Sequence, residues 1–87
     1  MYYIEFEWDE GNEFKIRQRA SLEEVESAFY DSKKRIRKTF FNRYNILART
    51  SAGRHLFIVY QRKAGGIIRV ISVREMSRKN RRNYKRK

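Results

Sequence analysis

The chain has 87 residues and a mass of 10.7 kDa, which is room for one small core and not for two. It carries 22 Lys or Arg against 10 Asp or Glu, for a formal net charge of +12, with no cysteine and one histidine, His55. That composition excludes disulfides, thiolate metal sites and histidine clusters, and it argues against a structural zinc.

In chain order, Tyr2, Ile4, Phe6 and Trp8 alternate with Tyr3, Glu5, Glu7 and Asp9, the two-residue period expected of a half-buried strand. Asp9 is placed to cap a short helix running to about Arg19, with Glu10 in its first turn and Gly11 weakening it. Ser21 and Glu24 have the spacing of a capping box. Leu22, Val25, Ala28 and Phe29 then share one face of a second helix ending near Tyr30 or Asp31. Residues 35–41 offer a weak strand, because Phe40 and Phe41 are adjacent and spoil the alternation. Arg43–Thr50, His55–Arg62 and Ile67–Arg74 read as three strands joined by the glycine turns at Gly53 and Gly65-Gly66, an antiparallel meander. Ser77 can cap a short basic helix toward Tyr84 within a cationic terminal segment, 77–87. The fold expected is a single α+β domain over 1–87, with the two opening helices on one face of the meander and the other face open.

The charge is divided sharply along the chain. Residues 1–31 hold nine acids against three bases, whereas every acid but Glu75 is missing from residues 32–87, which carry 19 Lys or Arg. Such a potential recruits polyanions, of which RNA, ribosomes and DNA are abundant, and charge alone does not choose between RNA, DNA and an acidic protein partner. No segment approaches the roughly 18–20 apolar residues of a membrane span, and no signal-peptide order opens the chain, so a cytoplasmic protein without membrane attachment is expected. Nucleotide-loop, zinc-helix and serine-elbow motifs are absent, and neither a cofactor nor a metal is expected.

Strict strand parity puts Arg69 and Arg74 on opposite faces of the last strand, with Ser72 on the side of Arg74. A bulge or strand end can re-aim either arginine. Arginines gathered on one sheet surface can pair with phosphate oxygens and stabilise the extra charge of a pentacovalent transition state. RNA supplies its own nucleophile, the 2′-hydroxyl, so protein groups need only position the strand, shift protons and neutralise charge. Glu75 is the most obvious base, Tyr60 a candidate for proton movement, and His55 a weaker one.

The segments Phe6-Glu7-Trp8-Asp9-Glu10, Ser21-Leu22-Glu23-Glu24 leading to Ala28-Phe29-Tyr30-Asp31, Arg43 to Arg49, and Arg69-Val70-Ile71-Ser72-Val73-Arg74 with Arg81 and Tyr84 together resemble the BrnT toxins. These are type II toxin–antitoxin ribonucleases with a RelE-like fold. The resemblance implies a metal-independent endoribonuclease that arrests growth and is neutralised by a cognate, DNA-binding antitoxin. It maps the functional arginines onto Arg69 and Arg74 and substrate contacts onto Arg49, Arg62, Lys63 and Ser72, with Arg81 and Tyr84 nearby. Arg17-Gln18-Arg19-Ala20 departs from the family's Lys-His-Gly, and Asn80 from a common glutamate. The rival expectations are a non-catalytic RNA- or ribosome-binding module and, ranked lowest, a DNA-binding protein, since no helix-turn-helix pattern appears.

Overall fold

The computed structural model describes residues 3–86; Met1, Tyr2 of the alternating opening run and Lys87 of the basic segment lie outside the described residues. Among the described residues the elements are α1 (Glu10–Arg17), α2 (Leu22–Ala28), β1 (Arg35–Lys38), β2 (Arg43–Arg49), β3 (His55–Arg62), β4 (Ile68–Glu75) and α3 (Arg78–Lys85). The strands form one antiparallel meander in the spatial order β1-β2-β3-β4, so the chain has the expected α+β architecture. No described helix is long and apolar enough to cross a membrane.

The opening run differs from the expected strand. Phe6 makes a single parallel bridge to Ile68, in which the Glu7 N–H donates to the Ile68 carbonyl at 2.8 Å and the Ile68 N–H to the Glu5 carbonyl at 2.9 Å. Alternation reports one buried face, and an extended segment laid along a sheet margin satisfies it without a ladder. Ile4, Phe6 and Trp8 pack on the core, and the Trp8 indole donates to Glu26 Oε2 at 2.7 Å. The β4 edge is thereby partly covered. At the opposite edge β1 is real despite its poor period, and all four of its residues are exposed.

Local chemistry sets the helix ends. Asp9 Oδ1 accepts the Gly11 N–H at 2.8 Å, and buried Asn12 returns its own Oδ1 to the Asp9 N–H at 2.9 Å, a reciprocal cap. The Asn12 amide also donates to the carbonyls of Glu7 and Val70, pinning α1 to β4. The box expected at Ser21 is only half formed. Ser21 Oγ accepts the Glu24 N–H at 3.0 Å, but the Glu24 carboxylate turns away to Arg54 Nη1 at 2.9 Å. α2 ends at Ala28, short of Tyr30.

The core lies between the helices and one sheet face. Ile16, Val25 and Ala28 from the helices meet Ile46, Ala48, Leu56, Ile58 and Val70 from the strands, all essentially buried. Each large aliphatic residue so buried contributes roughly 1.5–3 kcal/mol. Between β3 and β4 the register shifts: Val59 pairs with Ser72 but Tyr60 with Val70, leaving Ile71 as the extra residue of a β-bulge. Everything in β4 beyond Ile71 is re-aimed by one step.

Candidate nucleic-acid interface

The bulge decides where the arginines of β4 point. Arg69 pairs with Gln61 and Arg74 with Phe57, and on β3 the residues His55, Phe57, Val59 and Gln61 share the face opposite buried Leu56, Ile58 and Tyr60. Arg69, Ser72 and Arg74 therefore all lie on the open face, where unbroken alternation would have separated Arg69 from Arg74. Register carries the same face across the sheet to Arg49, Leu47, Asn45 and Arg43 on β2, and to Arg35 and Arg37 on β1.

The two β4 arginines are nevertheless in different states. The Arg69 guanidinium donates twice to Asp9, at 2.9 and 3.1 Å, and once to Glu7 Oε1 at 2.9 Å. Lys63 Nζ closes on the same Glu7 carboxylate at 3.0 and 3.1 Å. Lys63 and then Arg69 hold the Glu7 carboxyl below its ordinary range, Arg69 does the same for Asp9, and Asp9 foremost raises Arg69 in turn. Gly11 belongs to this clasp. A Cβ there would stand 3.0 Å from both Arg69 Nη2 and Asp9 Oδ1, so a residue that weakens α1 lets the pair close over its first turn. Arg69 and Lys63 thus bolt the opening segment to the sheet, and each reaches the open face already paired to a carboxylate.

Arg74 is exposed and makes no ion pair among the described residues. Its guanidinium lies 4.2 Å from the Phe57 ring centroid and donates to the Glu75 carbonyl and to Asn80 Oδ1, each at 3.2 Å. Asn80 is the third residue of α3 and completes a reciprocal cap with Ser77, so the helix start and an aromatic face jointly hold the fork. Arg35, Arg37, Arg43 and Arg49 are likewise outside every ion pair among the described residues.

Two residues expected to move protons lie elsewhere. Tyr60 is buried on the covered face, its ring 5.1 Å from Phe29 and 5.2 Å from Tyr44. Its parity follows Ile58, and apolar packing takes the whole ring. Glu75 pairs in register with Leu56, so it leaves the open face, and its Oε2 accepts from Arg54 Nε and Nη2. Arg54 also reaches Glu24 and the Arg19 carbonyl; Glu75 and then Glu24 raise its pKa, although burial opposes them. Nothing in the sequence marked Arg54 as the partner of both acids.

Tyr84 is the buried residue of α3. Its hydroxyl donates to Asp31 Oδ2 at 2.6 Å, and its ring meets His55 edge-on with centroids 5.5 Å apart. Burial, and then the Asp31 carboxylate, push the phenol up to about 12. Burial works against ionised Asp31, yet the Tyr84 hydroxyl and the N–H groups of Lys33 and Arg49 outweigh it and leave that carboxyl below its ordinary value. His55 is held below its usual value by desolvation and by Arg81, Arg49 and Lys85, with Asp31 opposing, a shift that favours the neutral ring. It is the histidine on the open face.

Arg49 sits beside His55 on this face, and Arg81 is exposed on α3. Arg62 ends β3 with the parity of the covered face, away from Arg74. Two hollows adjoin α3: one of about 360 Å³ between Arg37, Asn45, Phe57 and Asn83, and one of about 790 Å³ between Lys33, Arg49, His55 and Lys85, with Arg35 and Arg86 shared by both. Among the described residues no group of three His, Cys, Asp or Glu is placed to hold a metal ion. A scan against protein-family models and a search of curated proteins each found no match.

Proposed function

We propose that the chain is a metal-independent endoribonuclease of the BrnT toxin type, acting on RNA laid across the open sheet face. One observation carries the reading: Arg35, Arg37, Arg43, Arg49 and Arg74 occupy that face with their guanidinium groups outside every ion pair among the described residues. Planar guanidinium groups without an internal anion are suited to phosphodiesters. The resemblance of the opening Phe6-Glu7-Trp8-Asp9 and of the Arg69 to Arg74 strand to BrnT toxins supports the same assignment.

In this mechanism the RNA 2′-oxygen attacks the adjacent phosphorus in line. Its proton passes to the neutral ring of His55, and Arg74, oriented by Phe57 and Asn80, pairs with the phosphate oxygens as their charge grows. The P–O5′ bond breaks, solvent protonates the departing oxygen, and the products are a 2′,3′-cyclic phosphate and a 5′-hydroxyl. A cognate antitoxin with an acidic segment would silence the chain by covering the same face. The place of action is the cytoplasm.

The test is incubation with unstructured RNA in excess chelator. Cutting that leaves cyclic-phosphate ends and disappears in Arg74→Ala sustains the reading. RNA that is retarded on a gel and recovered whole establishes instead a non-catalytic RNA- or ribosome-binding module. The closure of Arg69 onto Glu7 and Asp9 favours that second reading, because it removes one of two expected phosphate clamps.

A further inference from the structure

The hairpin joining β1 to β2 ends in two large apolar side chains left mostly to solvent. Phe40 is 64% and Phe41 84% exposed, and their rings meet edge to face with centroids 5.5 Å apart. The backbone makes the arrangement costlier still. The Arg43 N–H donates to the Phe40 carbonyl at 3.0 Å, closing a tight turn in which Phe41 has a φ of +54°, the sole positive φ outside glycine among the described residues. Hairpin turns ordinarily give such a position to glycine, asparagine or aspartate, because a side chain there crowds its own backbone. An aromatic residue held in the left-handed region at a chain tip opposes both solvation and backbone preference, and outliers of this kind gather at binding sites.

The surroundings say what the tip is suited to meet. Residues 32–74 contain no acid, and the same hairpin carries Arg35, Arg37, Lys38 and Arg43. Three of these, Arg35, Arg37 and Arg43, project onto the open face. Because the two rings are perpendicular, at an interplanar angle of 72°, each leaves a flat side to solvent. Flat apolar surfaces bordered by cations are the two parts of a single-strand platform, one for bases and one for phosphates.

We infer that the Phe40–Phe41 tip is a base-stacking site that restricts the ligand of the open face to unstacked, single-stranded RNA. This rests on the RNA reading given above and specifies which form of RNA is taken. Duplex RNA keeps its bases within its own stack and offers the rings nothing. A strand with exposed bases gains both contacts.

The experiment measures binding of a labelled 2′-O-methyl RNA of about a dozen nucleotides, which cannot be cut through its own hydroxyl, beside an abasic strand of equal length. The native chain should prefer the base-bearing strand by at least about tenfold, as one or two stacked bases imply. F40A/F41A should bind both strands as the native chain binds the abasic one, with an unchanged salt slope. Phe41→Gly alone should melt no lower than the native chain, since glycine suits that φ, and yet lose part of the preference. Equal affinity of the native chain for the two strands overturns the inference. So does native-like binding by F40A/F41A, or a loss seen only on anionic phospholipid vesicles. If the native chain binds neither strand, the RNA reading itself falls and takes this inference with it.

Discussion

Arg74 and Phe57 face each other across β4 and β3, the guanidinium 4.2 Å above the ring, and this contact exists only because the bulge at Ile71 turns Arg74 onto the open face. The ring and Asn80 fix the plane of the fork before any ligand arrives. A lysine at 74 would keep the charge and lose the plane. Arg74→Lys is therefore expected to cut RNA more slowly by roughly 10²–10³, the usual effect of removing one transition-state donor, with affinity changed far less. Single-turnover cleavage beside gel retardation separates the two; equal losses in both would remove Arg74 from the chemistry.

Arg69 should behave differently. Its bonds to Asp9 and Glu7 hold the opening segment on β4, so Arg69→Ala is expected to lower the melting temperature by a few degrees while each folded molecule keeps its cleavage rate. A variant as stable as the native chain and inactive would return Arg69 to the substrate.

On the proposed function, the cations of the hairpin and sheet would act through counterion release. Arg37→Ala and Arg43→Ala should each reduce the slope of log affinity against log salt by about 0.7, the single-strand value per phosphate contact. Anisotropy titrations across a salt series supply the slopes, and unaltered slopes would place the RNA elsewhere.

On the proposed mechanism, His55 would give cleavage an acid limb. Desolvation and the cations of Arg81, Arg49 and Lys85 lower its pKa, so the neutral ring needed to take a proton prevails above a midpoint below the ordinary value of about 6.5. Cleavage should rise with pH through that midpoint and then level off. His55→Gln should abolish the limb together with most of the rate; a limb that survives belongs to another group. The same shift acts on folding: stability present above about pH 6.5 declines as pH falls through the folded value, because the unfolded chain binds the proton more readily.

Tyr84 and Asp31 bound stability on both sides. The Tyr84 phenol is raised from about 10 to about 12, so stability present below pH 10 should be lost as pH climbs between those values. Asp31 is lowered, so its contribution is present above the ordinary carboxylate range and lost as pH falls through the depressed value. Tyr84→Phe removes the alkaline limb and one hydrogen bond to a charged group, at a cost of about 1.5–3 kcal/mol at neutral pH. Melting curves across the pH range would show it, and a persisting alkaline limb would assign it to a different tyrosine.

Much of the scaffold was legible in the residues themselves. The caps at Asp9, Ser21 and Ser77, the periodicity of Leu22, Val25 and Ala28, and the glycine turns are local signals, and they place the helices and the meander within a few residues. The opening run misled because Phe6 and Trp8 need only a buried side, which a sheet margin gives them as well as a ladder does. The site was less legible because its determinants are long-range. A single extra residue at Ile71 reverses parity, and the acids that claim Arg69 stand some sixty positions away. The one available local clue was the adjacency of Phe40 and Phe41, since neighbouring residues of a strand cannot both face a single core.

β1 has no strand on its outer side among the described residues, and Arg35, Arg37 and Lys38 line it. A bare margin of a sheet ordinarily invites another polypeptide to extend it, and unchecked extension ends in fibrils. Here two copies approaching margin to margin would bring like charges into opposition. The fold is thus guarded against self-templating by the same side chains that the proposed function gives to RNA, and a foreign strand could join only if it were rich in aspartate or glutamate.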